Sequence, residues 1–166
     1  MGHRIERNLV TLVQFPGTFN GRKELRFEWD AGFELIHSTD LVLRGNVVAG
    51  SERAGYHVDG EPCDQPSRLA DNTAHSCLIG VMLLPKNGQP VCTLVANYAV
   101  WRAFDYGLYF QVVSSVVVSG LTSIDNTLGV FPMVIGPPAG SHAHADKFAR
   151  IEGSTFVGSS STYDCG

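Results

Sequence analysis

Ser51, Glu52, Arg53 and His57 lie close together in NVVAGSERAGYHVDGEPC, residues 46–63. A hydroxyl, a carboxylate and an imidazole are the parts of a nucleophilic centre, which works only if the base reaches the hydroxyl. His142, His144 and Asp146 alternate in SHAHADK, so an extended strand would turn all three to one side, where they could hold a divalent metal. The preceding GPPAGS marks a loop, and an exposed His-rich loop is the commoner reason for such a run. Cys63, Cys77, Cys92 and Cys165 form neither a CxxC motif nor a zinc-like Cys/His spacing. They allow two disulfides, one disulfide with two free thiols, or four thiols. In an oxidising compartment Cys63 has two plausible partners, Cys92 and Cys77, and Cys165 calls for one beyond this segment. Trp29, Trp101, Tyr106 and Tyr109 have faces that stack on sugars, although packing is the commoner role of such rings.

The elements that must position these groups declare themselves by repetition. Gly32-Phe33-Glu34-Leu35, Gly55-Tyr56-His57-Val58, Gly80-Val81-Met82-Leu83 and Gly107-Leu108-Tyr109-Phe110 share the form Gly-Φ-x-Φ, where Φ is apolar, at steps of 23, 25 and 27 residues. A fifth copy at Gly129 follows after 22 residues and is degenerate, because Pro132 breaks the alternation. Upstream, Val42-Leu43-Arg44-Gly45, Leu94-Val95-Ala96-Asn97 and Val117-Val118-Ser119-Gly120 end in Gly or Asn. Asn72 takes the same place before Gly80, Ile5-Glu6-Arg7-Asn8 reads as an early copy, and Arg150-Ile151-Glu152-Gly153 begins a last one.

Short alternating strands with this period predict an all-β chain: a single-stranded right-handed parallel β-helix, or solenoid, with coils of about 22 to 27 residues and loop insertions. A lone coil cannot cover its apolar residues, whereas stacking at about 4.8 Å pairs every strand above and below. Gly and Asn suit the corners because they tolerate positive φ. Tyr56 and Val58, Val81 and Leu83, and Leu108 and Phe110 are expected inside, with Glu34, His57, Met82 and Tyr109 as one outward row. A β-sandwich has similar strands but does not require the same phrase in every unit. One domain spans 1–166: a less regular first coil with an insertion over 1–39, then repeated coils over 40–166, incomplete at the C-terminus. The insertions FPGTFNGRKELRFEWDA and PKNGQPVC are expected as projecting loops or hairpins.

In this register Ser51, Glu52, Arg53 and His57 fall on a corner and a strand with no equivalent Ser or His stacked beneath, so catalysis is not expected of them. Asp40, Asp59, Asp71, Asp105 and Asp125 fall at different phases of the repeat. Glycoside hydrolysis needs two carboxylates about 5 to 9 Å apart, and Ca²⁺ needs several, so scattered phases count against an enzyme. No cofactor is expected. A net charge of −4, with no basic run longer than Arg22-Lys23, excludes a broad nucleic-acid surface. Nowhere do about 18 consecutive apolar residues occur, so this segment itself is not expected to contact a membrane.

The phrases AGSERAGYHVDGEPC, DNTAHSCLIGVML, FDYGLYF, DNTLGV and VGSSSTYDC resemble consecutive coils of the parallel β-helix region of the fibrocystin family, from about residue 40 to the end. Members are very large single-pass membrane proteins whose ectodomains carry TIG/IPT, G8 and β-helix repeats. The resemblance implies the extracellular part of a plasma-membrane or ciliary-membrane protein, receptor-like or part of a cilium or stereocilia coat. Its role would be a non-catalytic rigid scaffold and interaction surface, with flanking coils and a protein or glycan ligand. The alternative it brings is a carbohydrate-binding or carbohydrate-cleaving β-helix related to the G8-containing hyaluronidases.

Overall fold

The computed structural model describes residues 2–14, 31–35, 40–84, 92–135 and 147–158, and every regular element among them is a strand. The strands form three faces that the chain visits in turn. The first face holds β1 (His3–Glu6) beside β4 (Leu41–Arg44), and then β7 (Glu61–Pro62), β10 (Cys92–Ala96), β13 (Ser115–Ser119) and β16 (Ala149–Glu152). The second is a six-stranded sheet of β2 (Leu9–Val13), β5 (Val47–Ser51), β8 (Asn72–His75), β11 (Tyr98–Trp101), β14 (Thr122–Ile124) and β17 (Thr155–Val157). The third stacks β3 (Ala31–Leu35), β6 (Ala54–Val58), β9 (Ile79–Leu83), β12 (Tyr106–Val112) and β15 (Leu128–Val134). Neighbours pair in parallel, each strand with the one three elements later in the chain; β7 with β10 is the antiparallel exception among the described pairs. Each passage through the three faces therefore lays one coil on the previous one.

Alternation decides what lies inside. Tyr56, Val58, Val81, Leu83, Leu108 and Phe110 from the third face meet Val48, Ala74 and Val100 from the second and Leu43, Val95, Val116 and Val118 from the first in one buried cluster. Their β-branched and aromatic side chains suit a pleated surface packed on one side. Tyr56 is fully buried and stacks on Phe33 at 5.5 Å, and its hydroxyl donates to the Asn46 carbonyl at 2.7 Å.

The repeat glycines do a different job from the expected one. Gly32, Gly55, Gly80, Gly107 and Gly129 each sit second in a third-face strand and have ordinary φ. What they provide is closeness: a Cβ on Gly55 would come within 2.7 Å of both Ala74 Cβ and the Gly80 carbonyl. Real Cβ contacts do not reach that distance, so the phrase marks where the second and third faces approach each other.

Apart from Asp40 and Gly60, the described left-handed residues sit instead at two corners of each coil. Between the first and second faces they are Arg7, Gly45, Asp71, Asn97, Gly120 and Gly153, with φ from 53° to 66°. The expected corner residues Asn8 and Asn72 are thus one position late, and Arg7 and Asp71 make the bend. Between the second and third faces Leu12, Gly50, Ser76, Arg102 and Asp125 take φ of 53° to 74°. Their strand neighbours are paired residue by residue, which aligns these five in one column.

The outward row is covered in part. The row Glu34, His57, Met82 and Tyr109 is in register on the outer side of the third face, but its middle is not exposed. Met82 is fully buried and His57 only 5% exposed, because Ala54, Ile79 and Met82 form a second apolar cluster against Leu78, Leu84, Tyr106 and Tyr109. Pro132 interrupts the burial pattern without ending the strand: β15 runs through it, opposite Phe110. The described sheet ends at β15, and an edge strand tolerates the missing N–H. Trp29, most of both insertions, the metal candidates His142, His144 and Asp146, and Cys165 lie outside the described residues.

Candidate functional site

Asn8, Asn46 and Asn72 follow the first-corner bend in three successive coils and make a ladder that sequence reasoning missed. Asn46 Oδ1 accepts from the Asn8 backbone N–H at 3.0 Å and from Asn8 Nδ2 at 2.9 Å. Asn72 Oδ1 takes the same two bonds from Asn46, at 3.0 and 3.1 Å. Asn72 Nδ2 then donates to the Leu43 carbonyl at 2.9 Å. Asn46 and Asn72 are buried, where unpaired backbone groups are costly, so the ladder is a structural clamp. Its signal in the sequence was an Asn placed just after each of the first three bends.

The regular winding breaks after β6. Asp59 and Gly60, the latter at φ 77°, lead into β7, which runs antiparallel to β10 with Pro62 opposite Thr93 and Glu61 opposite Leu94. That register sets Cys63 directly across from Cys92, and the two form a disulfide with Cα atoms 5.5 Å apart. Cys77 remains a buried free thiol that donates to the His75 carbonyl at 3.3 Å, and burial pushes its pKa up. The excursion returns to the first face through Arg68, whose carbonyl accepts from Leu43 N–H at 2.9 Å.

Glu61 holds this excursion together. Its side chain accepts from Ser67 Oγ at 2.8 Å, the Arg68 backbone N–H at 2.6 Å and the Leu69 backbone N–H at 3.0 Å. Glu61 is 8% exposed, so its charge is held by donors where water is largely excluded. Arg68 reaches across to Asp40, Nη1 to Oδ1 3.1 Å. Between these groups opens a cavity of about 350 Å³, with Leu35, Leu41 and Leu69 among its apolar walls and Asp40, Asp59, Glu61, Gln65 and Arg68 among its polar ones.

The residues first considered for chemistry are arranged otherwise. Ser51 is 2% exposed and its hydroxyl has no hydrogen-bond partner among the described residues. His57 Nδ1 instead faces Glu34 Oε1 at 3.3 Å. Burial lowers the His57 pKa, against the opposing pull of Glu34 and Asp59. The aspartates stay dispersed: Asp71 and Asp125 bend different corners, Asp105 precedes β12, and only Asp40 and Asp59 share the cavity. Among the described residues no group of three or more His, Cys, Asp or Glu could hold a metal. Tyr106, Tyr109 and Phe131 cluster on the outer third face, with Tyr109 and Phe131 stacked at 5.4 Å. Trp101 stacks on His75 at 4.8 Å.

Comparison with known proteins decides the family. The chain is 40% identical to human fibrocystin-L over 168 aligned residues, which cover 98% of this chain and 4% of that protein. The chain belongs to the fibrocystin family. Mouse fibrocystin-L is 39% identical over the same share of the chain, and dog fibrocystin is 37% identical over 82% of it. The chain spans about 3% to 4% of the length of these curated relatives. No family model and no solved structure matches it.

Proposed function

We propose that this fibrocystin-family segment is a right-handed, single-stranded parallel β-helix that serves outside the cell as a non-catalytic rigid scaffold and interaction surface. The parent would be a single-pass, receptor-like or surface-coat membrane protein of the ciliary or stereociliary type. The observation that carries the reading is the unbroken column of six second-face strands, β2 to β17, each in parallel register with the next. A stack of that kind transmits orientation along its axis, because every coil is fixed by two neighbours. The Cys63–Cys92 bridge suits an oxidising compartment. The dispersed aspartates and the buried Ser51 favour no hydrolytic centre. In the test, the protein is incubated with hyaluronan, chondroitin sulfate and heparan sulfate, and product length is measured. Unchanged chains are expected; shortened chains would overturn the non-catalytic reading.

A second reading, carbohydrate recognition, draws on the partly exposed Tyr106, Tyr109 and Phe131 rings, whose faces could meet a sugar ring. Binding on a glycan array that Tyr109→Ala abolishes would favour it, and an array without signal would remove it.

A further inference from the structure

We propose that the groove at the first corner of the first three coils is a docking site for one carboxylate, an aspartate or glutamate side chain presented by a partner protein. Arg7, Gly45 and Asp71 bend the chain there, one above another: Arg7 N–H donates to the Arg44 carbonyl at 3.0 Å, and Gly45 N–H to the Asp71 carbonyl at 3.1 Å. Register sets Glu6 opposite Arg44, so the guanidiniums of Arg4, Arg7 and Arg44 meet the carboxylates of Glu6 and Asp71 around a groove of about 390 Å³. Both carboxylates are already engaged. Glu6 accepts from Arg4 with both oxygens, Nη2 to Oε1 at 2.8 Å and Nε to Oε2 at 3.2 Å, and Asp71 Oδ2 lies 2.8 Å from Arg44 Nη2. The Arg7 guanidinium makes no salt bridge or side-chain hydrogen bond among the described residues. Its charge acts on Glu6 at longer range: the hydrogen bond from Arg4, and then the charges of Arg4, Arg7 and Arg44, hold the Glu6 carboxyl below its ordinary pKa.

The occupant follows from this charge and its extent. A guanidinium without a bonded partner presents a planar fork of donors that matches a carboxylate in two hydrogen bonds, and it is weakly hydrated, so little opposes the exchange of water for a ligand. Its stem is already placed. Arg7 Cγ lies 3.6 Å from where a Cβ on Gly45 would stand, so the side chain packs over the bare corner of the next coil. Among the described residues of the groove the surplus is one positive charge, and it ends there: the column continues with Asn97, Gly120 and Gly153, which carry none, in a chain of net charge −4. A sulfated glycan needs a run of cations along its length, whereas one acidic side chain matches one surplus guanidinium and is steered to it. In every coil the turn at this corner belongs to the described residues.

The inference rests on the reading of this segment as an interaction surface. Its test reads binding alone, so it can fail while the non-catalytic reading stands, and glycan cleavage can overturn that reading while binding stands. The protein, with its disulfide intact, is titrated with acetyl-Gly-Glu-Gly-amide, the same peptide carrying uncharged glutamine, and a chondroitin sulfate tetrasaccharide. Binding is followed by amide chemical shifts. The glutamate peptide is expected to bind saturably, to perturb residues 4–8, 44–46 and 71, and to weaken as salt is raised. Arg7→Gln is expected to weaken it about fivefold. Arg150→Gln, whose arginine is paired with Glu152 on β16, is expected to leave it unchanged. Each variant is first shown to keep the native amide pattern; should Arg7→Gln lose it, the two peptides on the unaltered protein still decide. Equal binding of the glutamine peptide, preferential binding of the tetrasaccharide at these residues, shifts centred elsewhere, unchanged binding by a folded Arg7→Gln, or no saturable binding of the glutamate peptide would each overturn the proposal.

Discussion

The third face and the β7 excursion are built on opposite principles. In the third face one interaction is repeated from β3 to β12: a glycine lets the second face approach, and the two apolar positions after it pack on the core. In the excursion nothing repeats. One disulfide, one buried carboxylate and one antiparallel pairing hold residues 59–70, each used once. Repetition gives the same strand pairing from one level to the next. Among the described residues, the departure from it opens a cavity.

The comparison breaks most directly at the core. Phe110→Ala removes a fully buried ring and is expected to cost about 3–5 kcal/mol, read as a loss of stability in denaturant unfolding. Loss of the cooperative transition would mean the coils stand or fall together; a loss under 1 kcal/mol would mean that the ladder is not the source of stability. The disulfide comes next. Replacing Cys63 and Cys92 together by serine frees a loop of 29 residues and is expected to cost about 2–4 kcal/mol. Amide exchange should quicken over residues 59–70 and β10 while β6, β9 and β12 keep their protection. Uniform loss of protection would deny that the two regions are separable.

Smaller effects sharpen the same contrast. Glu61→Gln keeps the shape but removes the charge that three donors share, and about 1–2 kcal/mol is expected, with faster exchange at the Arg68 and Leu69 amides. The smallest effect concerns pH. Burial lowers the folded-state pKa of His57 below its ordinary value, so the unfolded chain binds the proton more readily. This contribution is full above the ordinary histidine pKa and is lost as pH falls from there through the folded value. Melting temperature should therefore drop on acidification below about 6.5, and His57→Gln should drop less. An equal drop in both would assign the effect to other groups.

What the sequence made legible follows the same division. Gly32, Gly55, Gly80, Gly107 and Gly129 announce the third face because close approach admits no other residue, so the same letter recurs. The second corner was not legible: Leu12, Ser76, Arg102 and Asp125 hold the same left-handed bend as Gly50, since stacking on neighbours offsets a strain of about 1–2 kcal/mol and leaves no common residue type. The first corner was read one residue late at Asn8 and Asn72, where the asparagines serve the ladder and not the bend. His57 and Met82 face outward as the alternation implies but are covered, because alternation reports which side a residue faces, not whether that side is covered. Glu61 gave no sign of its role, because its partners lie six to eight residues ahead in a segment without periodicity.

The central claim, a stack of coils along one axis, is open to a single measurement. Spin labels at outward second-face positions, Leu9 paired in turn with Ala99, Thr122 and Thr155, lie on coils three, four and five steps apart. Dipolar EPR should give separations that lengthen by about 4.8 Å with each step. Distances that stop lengthening, or that shorten from Ala99 to Thr155, would contradict it.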